Sequence, residues 1–117
     1  MIVSFALSAC DRKTEGAPAD VLASSEARER GRILYRKHCA LCHGIEADGI
    51  GSRRTGLSGT PVSFRSKTWR SEAAPARVFS SIRRGVPPSS MPAWPSLSNE
   101  ETWALVAYVL SVSEDGP

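Results

Sequence analysis

The sequence predicts a helical domain, and three observations carry that prediction. Two stretches near the ends, 25–37 and 98–112, each set glutamates in a first turn ahead of apolar residues at helical spacing. A third pattern, ending before Gly85, places Val78, Phe79 and Ile82 on one face. No segment carries a strand pattern that would supply a sheet.

At 117 residues and 41% hydrophobic content the chain is one domain with a modest core. Fifteen Lys and Arg against 12 Asp and Glu leave a net charge of +3. That mild excess hints at an acidic partner surface and asks for no nucleic acid.

Residues 1–9 (MIVSFALSA) are apolar and uncharged, yet far shorter than the ~20 residues that cross a bilayer. They read as the end of a secretory signal segment, although a positive n-region is missing. Leu7-Ser8-Ala9-Cys10 resembles the lipobox of bacterial lipoproteins, in which the cysteine is acylated and becomes the mature N-terminus. The plainer reading leaves Cys10 as a small apolar residue of the signal. Residues 10–24 mix charge, Gly, Pro and Ala without a sustained period and read as a tether to that anchor.

The domain then opens with Ser25 as a helix cap, followed by Glu26 and Glu29 at the positive end of the dipole. Ala27, Gly31, Leu34 and Tyr35 share one face. A glycine inside a helix costs ~1 kcal/mol relative to alanine. Gly31 therefore marks the close approach of another helix.

Next comes Cys39-Ala40-Leu41-Cys42-His43, the C-x-x-C-H signal for covalent haem attachment. On one helical turn the two thiols reach the two vinyl groups of one porphyrin edge, while His43 turns its ring under the iron. A zinc site would need a second pair of Cys or His ligands, and outside this stretch only Cys10, His38 and carboxylates are on offer. A thioredoxin-like redox pair would need a βαβ context.

Haem iron with one histidine leaves a sixth position to fill or leave open. His38 precedes Cys39 on the attachment side and cannot swing to the opposite face. Of the methionines, Met1 is lost if the N-terminal segment is processed, so Met91 is the sixth ligand by elimination. It sits in Gly85-Val86-Pro87-Pro88-Ser89-Ser90-Met91-Pro92, a stiff loop able to hold a thioether in place.

Between these landmarks, Gly44–Thr60 carries five glycines and no hydrophobic period, so it is loop. The backbone of Ala47–Gly51 is the candidate acceptor for the free Nδ1–H of His43. Phe64 and Trp69 line the haem pocket or belong to the ordinary core. The next helix begins at a Ser71 cap or at Pro75, a favoured first residue. It ends at Gly85, with Arg83 and Arg84 at the negative pole.

The last helix is capped by Ser98, and Glu101 three positions on completes a capping box. Trp103–Leu110 is an unbroken apolar run, so this helix is buried on more than one side and is too short to span a membrane. One side is expected against Gly31 and Tyr35, another toward the haem.

From about Ser25 to Val112 the chain resembles the monohaem class I c-type cytochromes. The residues that carry the resemblance are Gly31 with Tyr35, Cys39 to Gly44, Gly49-Ile50-Gly51, Gly85-Val86-Pro87, Met91-Pro92-Ala93-Trp94, and Leu105 to Tyr108. Ser52 departs from the proline many relatives have after the Gly-x-Gly turn.

The resemblance implies an all-α fold with crossed N- and C-terminal helices, a middle helix and haem-enclosing loops, over residues 25–113 with a tail at 114–117. It implies a single haem c held through Cys39 and Cys42, with His43 and Met91 as axial ligands. It further implies export to the periplasmic side of a bacterial membrane, because haem is ligated outside the cytoplasm. The expected function is one-electron transfer with a quinol-oxidising complex or a terminal oxidase. The other reading is a haem enzyme or sulfur-oxidation subunit in which methionine leaves the iron. Arg53, Arg54, Arg65, Lys67, Arg83 and Arg84 either ring the exposed haem edge for an acidic partner or form a solvated surface.

Overall fold

The computed structural model describes residues 18–115. Cys10, expected to carry the lipid, lies outside the described residues, as does Met1. The described residues form six α-helices and a closing 3₁₀ turn, with no strand among them. The helices are α1 (Ala19–Ala23), α2 (Ser25–His38), α3 (Ala40–His43), α4 (Lys67–Glu72), α5 (Pro75–Arg84) and α6 (Asn99–Ser111), and the turn covers Val112–Asp115. None is long and apolar enough to cross a membrane.

The frame is the crossing of α2 on α6. Gly31 is buried in it, and a Cβ there would run into the Ala104 carbonyl oxygen and lie 2.8 Å from the Cβ of Tyr108. The close approach read from Gly31 is therefore a backbone contact that only glycine permits. One turn on, Tyr35 is fully buried, with its ring 5.1 Å from that of Tyr108.

On α6, Thr102, Ala104, Leu105, Val106, Ala107, Val109 and Leu110 are buried, so its apolar run packs on several sides as expected. Each fully buried large aliphatic side chain contributes roughly 1.5–3 kcal/mol. The Ser98–Glu101 capping box is present in both directions, at 3.0 Å each way. Helix α5 leans on α6 through Phe79 and Trp103, whose ring centroids are 4.4 Å apart, while Ile82 is buried.

Three local expectations change. The cap of α2 is Ser24, whose hydroxyl accepts from the Ala27 N–H at 3.2 Å; Ser25 is the first helical residue. Both serines precede the glutamates, and sequence spacing does not separate them. The segment read as a tether through residue 24 ends earlier, because Ala19–Ala23 is helical and packs against α6, with Leu22 on the core. Finally, α4 had no counterpart in the sequence reading. Ser66 caps it by accepting from the Trp69 N–H at 3.2 Å, but six residues are too few to show a period. Of the two starts considered for the next helix, Pro75 is the one adopted.

Two measurements check this frame. Gly31→Ala should cost about 1–3 kcal/mol through overpacking and lower the thermal midpoint by several degrees; an unchanged midpoint contradicts the contact. Ser24→Ala should lose ~1 kcal/mol while Ser25→Ala changes stability by a few tenths at most. The reverse order in a denaturant titration would return the cap to Ser25.

Candidate functional site

Helix α3 carries the C-x-x-C-H residues, and its short length is compensated by what closes it. The following loop folds back with its N–H groups aimed at the last carbonyls of the helix. Gly49 N donates to His43 O at 2.8 Å, Gly51 N to Cys42 O at 3.2 Å and Arg53 N to Leu41 O at 2.9 Å. A Cβ at Gly51 would sit 2.5 Å from Cys42 O and collide with Leu41 O, so the loop can lie on the helix only because that residue is glycine.

The same pattern explains why this loop does not hold the histidine. It meets α3 with donors, and the Ala47 carbonyl is taken by Phe64 N at 2.9 Å. The Nδ1 of His43 instead donates to the Val62 carbonyl at 3.0 Å. With Nδ1 carrying the proton, Nε2 keeps its lone pair for a metal. Burial chiefly lowers the His43 pKa, against a smaller opposing effect of the Val62 bond, so the ring stays neutral, as a ligand must be.

Of the two aromatics, both pack against the core, and Phe64 also meets His43. Its ring stacks on His43 with centroids 4.6 Å apart and 26° between planes, and Trp69 abuts Phe64 edge-on at 4.9 Å. Phe64 also meets Tyr35 edge-on at 6.2 Å, and the Tyr35 hydroxyl donates to Gly44 O at 2.5 Å. Burial holds that hydroxyl well above its ordinary pKa, so it remains a donor. The imidazole is thus braced by a chain of rings that starts at the α2–α6 crossing.

The methionine loop is fixed from both ends. At Gly85 (φ +72°) a Cβ would come within 2.8 Å of Met91 O and 3.0 Å of Ala93 N. The loop turns back tightly there, with Val86 N donating to Met91 O at 3.2 Å and Trp94 N to Ile82 O at 2.9 Å. Across the opening, Ser90 N donates to Ser58 O at 2.9 Å, and Ser58 N donates to Ser90 Oγ at 2.7 Å.

These elements enclose an open hollow of about 200 Å³. Cys39, Cys42, His43 and Met91 all line it, together with Trp94 and His38. His38 meets Trp94 edge-on at 6.2 Å. A second hollow, on the α4–α5 side, shares His43, Val62 and Met91 with the first. None of Arg53, Arg54, Arg65, Lys67, Arg83 and Arg84 lines the first hollow. Arg65 reaches Glu46, and Arg83 donates to Leu97 O.

The donor set fits a haem and does not fit the alternatives. Cys39 and Cys42 are unpaired, and burial, with Cys42 beside it, pushes the Cys39 thiol up to about 12. In the chain alone the Cys39 thiol is therefore protonated at neutral pH. Among the described residues, no three His, Cys, Asp or Glu gather as a metal site. A planar apolar group bonded at one edge by two thiols and met by one neutral imidazole suits what is present.

Comparison with known proteins follows the same line. Residues 26–109 match the family described as cytochrome c oxidase, cbb3-type, subunit III. A cytochrome c-553-like protein of Synechocystis sp. is 46% identical over 41 residues, which make up 34% of this chain and 39% of that protein. The KustC0563 c-type cytochrome superposes with a TM-score of 0.57 at 28% identity, covering 70% of this chain and 95% of that one. Cytochrome CL of Methylophaga aminisulfidivorans gives 0.57 at 25% identity, over 75% and 54% of the two chains. A chain of the Kuenenia stuttgartiensis reducing HAO-like complex Kustc0457/Kustc0458 gives 0.68, a likeness of fold at 24% identity over 76% of this chain and 44% of that one. The family match takes in both the C-x-x-C-H helix and the methionine loop over more than half of the sequence: this chain belongs to the c-type cytochrome family of the cbb3-type cytochrome c oxidase subunit III.

Proposed function

We propose that this domain carries single electrons through one haem c, bonded to Cys39 and Cys42 and ligated by His43 and Met91. Family membership implies covalently bound haem c and an electron-transfer domain. The observation that carries the finer reading is that these four side chains line one hollow. The bound group supplies one-electron exchange between ferric and ferrous iron. The protein's part is to keep that exchange free of rearrangement.

His43 is held in one tautomer by Val62 and in one orientation by Phe64. Met91 is held by a loop tied to α5 at one end and to Ser58 across the opening. Fixed ligands leave little to reorganise when the charge changes. A thioether ligand and an apolar wall both disfavour the extra positive charge of the ferric state, so the potential is high for a haem protein.

The carrier reading is favoured over the enzyme reading by the composition of that wall. Beyond the proposed attachment and ligand residues, the titratable side chains lining the two hollows are His38, which precedes Cys39 on the attachment side, and Glu72 and Arg77 on the α4–α5 side. Chemistry on a bound substrate would call for an acid or base beside the open position. The partners we propose are a quinol-oxidising complex or a terminal oxidase. We further propose export to the periplasmic side of the membrane and a lipid anchor on Cys10, on the strength of the signal-like segment and the Leu7-Ser8-Ala9-Cys10 sequence.

Carbon monoxide tests the ligand set. The reduced wild-type protein should resist it, whereas reduced Met91→Ala should bind it at once and show a lower midpoint potential; rapid binding by the wild type would move the assignment to the enzyme reading. For the anchor, Cys10→Ala should shift the protein from the membrane fraction to the soluble one. Unchanged fractionation would remove the lipid from the account.

A further inference from the structure

The two hollows divide the side chains in a way that orients the cofactor. Cys39 and Cys42 line only the first, whereas His43, Val62 and Met91 line both. Haem c carries its two thioether carbons toward one edge and its two propionate carboxylates toward the opposite edge. The second hollow adjoins both proposed axial residues and neither cysteine, so it is open to the far edge of a ring passing between His43 and Met91.

The charged residues of that second hollow are few. Its titratable lining is His43 from α3, Glu72 from α4 and Arg77 from α5; the titratable groups facing the first hollow are His38, Cys39, Cys42 and His43. Arg77 is the one Lys or Arg that lines either. It stands one turn before Ser81 on the same helix, and both face the hollow beside Val78 and Ile82. Among the described residues Arg77 forms no ion pair, not even with Glu72 on the same wall.

We propose that Arg77 binds a propionate carboxylate of the haem and so offsets the repulsion between that carboxylate and Glu72. This rests on the haem reading above. A guanidinium suits a carboxylate because its planar fork offers paired donors. Its fixed positive charge near the ring also favours the ferrous state, so Arg77 is a residue that sets the potential as well as one that binds.

The test is potentiometric titration of the purified, haem-loaded protein, with infrared difference spectra of the same samples. Arg77 is exposed on α5, so its replacement leaves the core intact. In Arg77→Gln the oxidised-to-reduced ratio at the wild-type midpoint should rise about threefold, the worth of one nearby charge under strong solvent screening. The carboxylate stretch in the difference spectrum should shift with it. Arg77→Lys should recover most of the potential, and Arg84→Gln, exposed on the same helix but not lining either hollow, should leave both readouts unchanged.

The proposal is overturned if Arg77→Gln matches the wild type in both readouts. It is equally overturned if Arg84→Gln shifts them as much, or if Arg77→Lys behaves like Arg77→Gln. A wild-type protein without haem absorption would defeat the haem reading and this proposal together, whereas haem present with an indifferent Arg77 defeats the proposal alone.

Discussion

The contact between the backbone of α2 at Gly31 and the Ala104 carbonyl of α6 sets the position of everything at the site. With the two helices that close, Tyr35 is driven into the core and its hydroxyl reaches Gly44, the residue that ends the C-x-x-C-H helix. Its ring stands against Phe64, and Phe64 lies flat on His43. A side chain at position 31 would push these parts away from one another in turn. The crossing acts on the imidazole through packed rings, which are stiff because protein interiors are close-packed.

The opposite wall is built by a different device. No helix carries Met91; its loop is held by a glycine with positive φ at one end and by backbone bonds to Ile82, Val86 and Ser58. Because these are backbone bonds within the protein, the Met91 backbone is fixed by the chain itself. Leu57, Val62, Val86 and serines line the hollow between the two walls, and no Lys, Arg, Asp or Glu lines it.

Much of this was legible in the sequence where one residue type has one physical use. Gly31 in a helix and Ser98 with Glu101 each have a narrow meaning, and the fold adopts both; of the two starts open for α5, it takes Pro75. What escaped depends on the partner brought in by the fold. The acceptor for His43 is Val62, 19 residues away, because the nearer loop spends its N–H groups on the carbonyls of α3. Helices α1 and α4 are too short to reveal a period, and α1 is helical where it rests on α6. The choice of Ser24 over Ser25 turns on backbone dihedrals that adjacent serines do not announce. Arg77 has no motif around it; it became visible only when α5 turned it toward the wall that His43 and Met91 share.

The central claim is that the Met91 sulfur sits on the face of the ring opposite His43. Proton NMR of the reduced protein, with the methionine methyl groups isotopically labelled, reads this directly. The ring current of a haem moves a methyl group held over the iron far upfield of every ordinary methyl signal. The account predicts one such resonance, assigned to Met91 by its loss in Met91→Leu. A reduced, haem-loaded protein in which every methionine methyl stays in the ordinary range would contradict it.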